Sequence, residues 1–194
     1  MSILNKQEVS NVRPTNFAEL RIPKLLILDE ICDRRVSLAA NGRKVVLTNG
    51  CFDLLHAGHI YFLQQARLLG DALFVAINSD ESVRALKGPM RPIQSEKERA
   101  YALSALECTT AVFIFRQQRL TQEIKSLRPD LYAKAGDYQL ETLDAAERLM
   151  LMEMGTEIRF LPFLTGMSST DMIHRVALAG VVGNSPLPPR ASPL

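Results

Sequence analysis

Two kinds of hydrophobic pattern alternate along this chain. Short, unbroken apolar runs, of which 72–77 is the clearest, are typical of strands that are covered on both faces of a parallel sheet. Between them lie segments whose apolar residues recur every three or four positions, as they do from Leu28 to Ala39, and this spacing indicates amphipathic helices. The alternation therefore predicts strands and helices that follow one another along the chain.

The apolar runs predict about five strands, at 44–48, 72–77, 111–115, 131–134 and 157–161. The helical spacing predicts helices at 28–39, 60–69, 80–86, 95–106, 120–127 and 143–154, and from the 168–171 segment to about 179. Strands that alternate with helices are typical of an α/β fold, so we expect a Rossmann-like open parallel sheet with helices on both faces. Right-handed crossovers would place the loops after the first, second, fourth and fifth strands at one edge of that sheet.

The periodic segments lie within 21–180, which we interpret as a single domain. Residues 1–20 mix polar types without a clear period and are predicted to be an extension, loosely ordered or packed on a neighbour. Residues 181–194 are rich in proline and are predicted to form a tail that is disordered or docked elsewhere. A domain of this size is large enough to bury a substantial core.

Composition narrows the classes of protein to which the chain can belong. Hydrophobic residues make up 47% and charged residues 23% of the 194 positions, as in soluble globular proteins. The net charge of +2 is too small to indicate a nucleic acid or a membrane surface as a partner. No apolar stretch has the length of a membrane span, and the first residues lack the apolar core of a secretory signal.

The three cysteines, Cys32, Cys51 and Cys108, are far apart and odd in number. They fit neither a disulfide framework nor a metal site of the CxxC kind, and they suit a reducing compartment. We therefore expect a cytoplasmic protein. Cys51 is predicted to pack within the loop that follows the first strand, where its thiol could also react with thiol reagents.

The segment from Asn49 to His59 joins the first predicted strand to a helix. Ligands of open α/β sheets bind at the carboxyl ends of the strands, and a helix that begins there offers unpaired N–H groups to an anion. Gly58 would let a phosphate approach the backbone, and His56 and His59 could donate hydrogen bonds to its oxygens. The two histidines could instead satisfy loop backbone groups or form a metal pair, but a chain with three histidines offers few further ligands. We therefore favour a phosphate site.

Cations follow the second predicted strand. Lys87 and Arg91 lie in a proline-constrained loop, and their charge suits a triphosphate and a phosphorylated acceptor. Two solvated cations on a surface loop would have the same sequence. Arg99, on the next helix, could join them or could only pair with Glu96, and the sequence favours neither alternative.

Two later loops are predicted at the same edge of the sheet. The hydroxyls of 168–170 stand at a helix N-terminus, where they would cap the helix and could also bind phosphate. The turn at 134–138 is small enough for close approach of a ligand. Its Asp137 could hold a ribose hydroxyl or a base amino group, or could merely cap the turn.

The sequence His56-Ala57-Gly58-His59, placed directly after a buried strand, resembles the HxGH signature of the cytidylyltransferase-like nucleotidyltransferases. In that superfamily the two histidines contact the phosphates of a nucleoside triphosphate. The resemblance extends from about 25 to 177, and it is strongest with the heptose 1-phosphate adenylyltransferase branch. The segments that carry this second resemblance are 49–59, 78–80, Leu86 to Pro92, and 134–138, and the Leu-Lys-Gly-Pro-x-Arg-Pro stretch is the most specific of them.

The resemblance implies that AMP is transferred from ATP to a heptose 1-phosphate, giving ADP-heptose and pyrophosphate. No covalent enzyme intermediate is implied, and Mg²⁺ would arrive with ATP rather than on a dedicated metal site. The catalytic residues would be His56, His59 and Lys87. The nucleotide-binding residues would be Asn49, Gly50, Cys51, Phe52, Asp53, Gly58, Lys134, Gly136, Asp137, Ser168, Ser169 and Thr170. The acceptor-binding residues would be Asn78, Asp80 and Arg91.

Partners implied by the resemblance are ATP, a sugar phosphate and a second copy of the chain in a homodimer, without nucleic acid or membrane. In some bacteria the enzyme is fused to a sugar kinase, and here we expect it to stand alone. Ala135 replaces a glycine that is usual in the branch, and Met167 replaces an arginine. ATP is expected as the donor, with two alternatives left open: a cytidylyltransferase acting on an alcohol phosphate such as glycerol 3-phosphate, and a nucleotide-binding module without catalysis.

Overall fold

The computed structural model describes residues 16–136, 139–162, 164, 166 and 168–182. Its parallel sheet consists of β1 (Val45–Gly50), β2 (Ala72–Asn78), β3 (Ala111–Phe115), β4 (Leu131–Ala135) and β5 (Glu157–Leu161). The strands are ordered β3-β2-β1-β4-β5, so β1 has β2 on one side and β4 on the other. The chain therefore changes direction across the sheet at β1, which is where ligands of such folds bind. The predicted open parallel sheet of about five strands is confirmed.

Helices cover both faces of this sheet, as predicted. They are α1 (Leu28–Ala40), α2 (Ala57–Arg67), α3 (Asp80–Lys87), α4 (Glu96–Ser104), α5 (Thr121–Leu127), α6 (Ala145–Glu153) and α7 (Ser169–Val182), preceded by a 3₁₀ turn at Phe17–Glu19. Helices α1, α5 and α6 contribute Ile31, Ile124 and Leu151 to the hydrophobic cluster on one face. Helices α2 and α4 contribute Phe62 and Leu103 to the cluster on the other.

The two covered faces explain the unbroken apolar runs. Successive side chains of a strand point to opposite faces, and in β1 Val45 and Leu47 join one cluster while Val46 joins the other. All three are fully buried. Since both faces are packed against helices, both sets of positions must be apolar.

Several element boundaries differ from the predicted ones. Strand β1 continues to Gly50 rather than ending at position 48, and α2 begins at Ala57 rather than at position 60. Helix α6 begins at Ala145 rather than at position 143, because the Asp144 side chain accepts hydrogen bonds from the first-turn N–H groups and caps it. The early start of α2 is the consequential difference, since it places His59 in the first turn of a helix.

The segment before α1 covers the outer edge of the sheet. The Val112 N–H donates to the Lys24 carbonyl, and the Leu26 N–H donates to the Val112 carbonyl at 2.9 Å. This pairing occupies part of the free edge of β3. Most of the predicted extension and tail lies outside the described residues, so the predicted domain limits stay predictions. Nowhere in the described part of the chain is a helix both long and apolar enough to cross a bilayer.

Candidate active site

A cavity of about 560 Å³ opens at the carboxyl ends of the central strands. Asn49 and Gly50 reach it from β1, Asn78 from β2, and Lys134 from β4. The predicted position of a ligand site, at the edge of the sheet where these strands end, is the position of this cavity. His59, Lys87 and Ser169 also line it, so each of the four predicted loops contributes a residue to the cavity wall.

The loop between β1 and α2 is shaped by the close approach of an aromatic ring to a glycine. A Cβ atom at Gly50 would lie 3.0 Å from the Phe52 ring, so a side chain there would displace the ring. Phe52 itself adopts a positive φ of 46°. Its ring contacts the His59 ring edge-on, with 5.2 Å between the centroids. The predicted nucleotide-binding residues Gly50 and Phe52 therefore fix the position of His59.

His56 and His59 lie together at the N-terminus of α2. The His56 ring is the cap of the helix: its Nδ1 accepts a hydrogen bond from the His59 N–H at 3.4 Å. An accepting Nδ1 carries no proton, so the proton of neutral His56 is on Nε2. The two rings are stacked, with centroids 3.8 Å apart and an angle of 21° between their planes. The sequence predicts the pair at this helix end but not the stacking of the rings.

Burial favours the neutral form of both imidazoles. The pKa of His59 is lowered to about 4, chiefly by burial and further by His56 and Lys87, while the Leu54 carbonyl opposes the shift. Burial also lowers the pKa of His56. The buried Nδ1 of His59 has no hydrogen-bond partner among the residues that the structure describes. A buried, unpaired polar atom on a cavity wall is suited to a ligand.

Acid is therefore expected to destabilise the ligand-free protein through His59. Its pKa lies below the ordinary value of 6.5 in the folded state, so the unfolded chain takes up a proton first as the pH falls. The associated stability is present above pH 6.5 and is lost as the pH falls towards 4. The loss from this one group is on the order of 3 kcal/mol.

Urea unfolding at pH 7.0 and at pH 4.5 would measure this contribution. The His59→Gln variant is the reference, since glutamine does not titrate, and we expect its stability to fall less than that of the natural sequence. Equal losses in the two proteins would show that His59 is not held neutral by its surroundings.

Asp53 is buried beneath the loop and ties the segment after α3 to it. Its Oδ1 accepts from the Ile93 N–H at 2.7 Å and from the Gln94 N–H at 3.1 Å. Its Oδ2 accepts from the Arg91 Nε–H, and the Arg91 side chain is 14% exposed. Asp53 contributes to the cavity wall, whereas Arg91 lies behind it. Acceptor binding by Arg91 stays a prediction that this placement does not favour.

Arg99 is a buried connection between loops. It donates to the carbonyl oxygens of Cys51 at 2.6 Å, Asn78 at 2.8 Å and Gln94 at 3.1 Å. Its guanidinium also pairs with Asp80 at 2.8 Å. The predicted alternative of an ion pair with Glu96 is wrong, because the Glu96 carboxylate accepts from the Asp80 backbone N–H instead.

The polar residues at the end of β2 serve the fold as well as the cavity. Asn78 is buried, donates to Ser82 Oγ at 2.9 Å and lies 3.7 Å from the Cys51 sulfur. Ser79 caps α3 by accepting from the Ser82 N–H. Asp80 is held by Arg99 and does not line the cavity, whereas Asn78 does. Roles for Asn78 and Asp80 in acceptor binding stay predictions.

Lys87 is the last residue of α3 and lines the cavity with an exposed side chain. The next residue, Gly88, has a φ of 96°, a conformation that residues with a Cβ rarely adopt. The chain therefore leaves α3 in a turn that keeps Lys87 at the rim. Its charge reaches His59, whose pKa it helps to lower.

Lys134 belongs to a polar network that continues behind the cavity. Its Nζ donates to Asn49 Oδ1 at 2.5 Å, and the Tyr132 hydroxyl lies 2.7 Å from the same oxygen. The hydroxyl also lies 3.4 Å from Glu147, whose carboxylate accepts from the Leu120 N–H. Burial lowers the pKa of Lys134, and the Glu147 charge opposes that shift. This network joins two predicted nucleotide-binding residues, Asn49 and Lys134.

The start of α7 contacts the β1–α2 loop. Ser168 Oγ caps the helix by accepting from the Asp171 N–H, and Ser169 Oγ donates to the Leu54 carbonyl at 3.2 Å. Ser169 lines the cavity, and Thr170 is exposed on the first turn of α7. Gly136 lies in the turn after β4, while Asp137 and Met167 lie outside the described residues.

The part of the cavity wall built by the β3–α5 loop and the start of α6 was not predicted from the sequence. Gln118, Arg119, Asp144 and Glu147 line it. No motif marks these positions. The signal that was available is that Arg119 follows a third buried strand, whose carboxyl end reaches the same edge of the sheet.

The cytidylyltransferase-like family model matches residues 47–175, which is more than half of the chain. The Bifunctional protein HldE of Pelobacter propionicus is 46% identical over 137 residues, covering 71% of this chain and 28% of that protein. The Bifunctional protein HldE of Koribacter versatilis is 38% identical over 172 residues, covering 89% of this chain and 35% of that protein. The chain thus spans about a third of the length of these curated relatives.

A similar solved structure is the lipopolysaccharide core biosynthesis protein from Thermoplasma volcanium. It superposes with a TM-score of 0.52 at 26% identity, over 63% of this chain and 98% of that one. The matched family segment begins within β1 and contains the stacked histidines and every loop that reaches the cavity. This chain therefore belongs to the cytidylyltransferase-like family.

Proposed function

We propose that this protein is a nucleotidyltransferase that transfers AMP from ATP to a heptose 1-phosphate. The observation that carries the proposal is the pair of stacked histidines at the N-terminus of α2, of which His59 lines a cavity that cations also line. Unpaired backbone N–H groups, imidazole N–H groups and ammonium groups together suit a triphosphate. Family membership supports the reaction class.

The reaction needs positioning and charge stabilisation more than acid–base chemistry. The acceptor phosphate is already an anionic nucleophile, and one of its oxygens would attack the α-phosphorus of ATP in line, as pyrophosphate leaves. His56 Nε2–H and His59 would donate to phosphate oxygens as charge develops. Lys87 would stabilise the same charge from the rim, and the network of Lys134 and Asn49 would hold the nucleotide.

The choice of a heptose 1-phosphate as the acceptor is supported by similarity to other proteins. The Leu86 to Pro92 stretch is similar to the heptose 1-phosphate adenylyltransferase branch, and the chain is 38% to 46% identical to the HldE proteins compared above. The related solved structure is described as a lipopolysaccharide core biosynthesis protein. These points favour ATP with a sugar phosphate over CTP with an alcohol phosphate.

Enzymes of this kind use a divalent metal with the nucleotide, and we propose Mg²⁺. Among the described residues, no group of three or more His, Cys, Asp or Glu side chains is placed to bind a metal ion. The carboxylates of Asp53 and Glu147 already accept hydrogen bonds from the protein. The cation would therefore be bound mainly by the triphosphate.

Location and assembly follow as further parts of the proposal. Cys32, Cys51 and Cys108 form no disulfide, which suits the reducing cytoplasm. A homodimer is expected, and its mass in solution is measurable by light scattering. ATP and a sugar phosphate are the proposed small-molecule partners.

Pyrophosphate release measured for every pairing of ATP and CTP with heptose 1-phosphate and glycerol 3-phosphate tests the proposal. Turnover is expected to be fastest with ATP and heptose 1-phosphate. Faster turnover with CTP and glycerol 3-phosphate would replace this proposal by a cytidylyltransferase. Nucleotide binding by calorimetry without turnover on any pairing would instead indicate a binding module.

The segment after α3 is expected to close over bound phosphates. Lys87 is exposed at the rim, and Met90 is 85% exposed in the same turn. Trypsin should therefore cut after Lys87 in the free protein and more slowly when ATP and Mg²⁺ are present. Arg91 precedes Pro92, which blocks tryptic cleavage there, and mass spectrometry distinguishes the cut after Lys87 from a cut after the exposed Arg84. Equal rates in both states would contradict closure.

A further inference from the structure

The proposed function gives a role to some of the cations on the cavity wall and leaves one of them without a role. Within the described residues, the Lys and Arg side chains that line the cavity are Lys87, Arg119 and Lys134. The charge of Lys87 helps to lower the pKa of His59, and Lys134 donates a hydrogen bond to Asn49. Arg91 is bound by Asp53 behind the wall. Arg119 has so far no ligand assigned to it.

Arg119 reaches the cavity wall beside the start of α6, where it pairs with Asp144 and its charge helps to lower the pKa of Lys134. The phosphate-binding histidines follow β1, and the proposed nucleoside loops follow β4 and β5, on one side of β1. The loop of Arg119 follows β3, beyond β2 on the opposite side. This loop therefore crosses from β3 towards α6, and among the described residues Arg119 is the lining cation that remains for the phosphate of the acceptor.

Arg119 is held in place by the start of a helix. Its Nε forms an ion pair with Asp144 Oδ2 at 2.8 Å, while Asp144 Oδ1 accepts from the Ala146 and Glu147 N–H groups. One edge of the guanidinium is thus fixed by the cap of α6. In the described part of the chain, the Nη groups make no other hydrogen bond, and the side chain is 50% exposed. A guanidinium held at Nε with its Nη groups open is suited to a phosphate.

We propose that Arg119 binds the phosphate group of the acceptor, an inference that rests on the proposed nucleotidyl transfer. One acceptor phosphate oxygen forms a bond to the α-phosphorus, the bond to the oxygen that bridges the α- and β-phosphates breaks, and pyrophosphate leaves with that electron pair. Arg119 contacts the acceptor oxygens that do not attack. Asp144 is a positioning residue, since it acts through the guanidinium.

Calorimetry tests this assignment without turnover. Heptose 1-phosphate is titrated into protein saturated with Mg²⁺ and α,β-methylene-ATP, whose α–β linkage cannot be cleaved. Arg119→Gln is expected to weaken acceptor binding by roughly 10- to 100-fold, as loss of a charge-assisted hydrogen-bonded pair does. Arg119→Lys is expected to be intermediate, because lysine keeps the charge and loses the planar fork. Affinity for the ATP analogue should stay within about twofold.

Arg116→Gln is the matched control, because Arg116 is an exposed arginine of the same loop that does not line the cavity. Its acceptor affinity should equal that of the natural sequence. Asp144→Asn keeps a capping oxygen and removes the charge that holds Arg119, so it should weaken acceptor binding less than Arg119→Gln.

The outcomes separate this inference from the proposed function. Acceptor binding that depends on Arg119, with no pyrophosphate release from ATP, would support the inference and overturn the proposed reaction. Normal turnover with Arg119→Gln indistinguishable from Arg116→Gln would do the reverse. Weaker binding of the ATP analogue by Arg119→Gln, or no binding of heptose 1-phosphate to the natural protein, would also overturn the assignment of Arg119.

Discussion

Replacing His59 by alanine is expected to slow pyrophosphate release by roughly 10²- to 10³-fold, as loss of one oriented donor to a developing charge does. The ring lies on the cavity wall and its buried Nδ1 has no partner among the described residues, so its removal breaks no hydrogen bond of that atom. The fold should persist, and the thermal midpoint should change little. Steady-state rates and circular dichroism of the variant measure both effects.

His174 provides the control for this experiment. It is exposed on α7, away from the cavity wall, and His174→Ala should keep the rate of the natural sequence. Near-normal turnover of the His59→Ala protein would contradict the phosphate role of the histidine pair. His56 needs a different substitution, because its ring also caps α2. His56→Asn keeps a capping oxygen and removes the Nε2–H donor, so it should slow the reaction without unfolding the helix.

Replacing Arg99 by methionine is expected to have the largest effect on stability, lowering the free energy of unfolding by about 3–5 kcal/mol. The buried guanidinium supplies donors to the Cys51 and Asn78 carbonyls and pairs with Asp80. Methionine fills a similar volume and supplies no donor, so the carbonyl oxygens and the carboxylate would lose their partner. Urea unfolding of the variant measures the loss.

Arg34→Met is the matched control, because Arg34 is exposed on α1. It should change the free energy of unfolding by less than about 0.5 kcal/mol. A loss for Arg99→Met no larger than that of the control would show that water replaces the guanidinium between the loops. Because Arg99 holds the loops after β1 and β2 together, residual folded protein should also bind ATP more weakly.

The fold could be predicted because the sequence itself shows the two hydrophobic patterns, the unbroken apolar runs of strands and the three-to-four-residue spacing of helices. An unbroken run such as 72–77 needs helices on both sides of its strand, and the structure has them. Helix starts were less predictable, since they depend on which side chain caps the first turn. Asp144 and His56 do so here, and histidine is not an ordinary capping residue.

The site could be predicted where a residue lies at a strand end, and not where its partner is distant in sequence. His59, Lys87 and Lys134 reach the cavity as expected. The ion pair between Arg91 and Asp53 could not be predicted, because it depends on how the segment after α3 folds back over the β1–α2 loop. Arg119 escaped prediction for a similar reason, since only the sheet order brings its loop to the cavity.

The most direct measurement follows the oxygen atoms of the acceptor through the reaction. Heptose 1-phosphate with ¹⁸O in all three non-ester phosphate oxygens is incubated with the protein, ATP and Mg²⁺. The ¹⁸O content of each product is then measured by mass spectrometry. Attack of the acceptor phosphate on the α-phosphorus leaves all the label in ADP-heptose and none in pyrophosphate. Label in pyrophosphate, loss of one labelled oxygen from the sugar nucleotide, or no sugar nucleotide at all would contradict direct transfer of AMP to the acceptor phosphate.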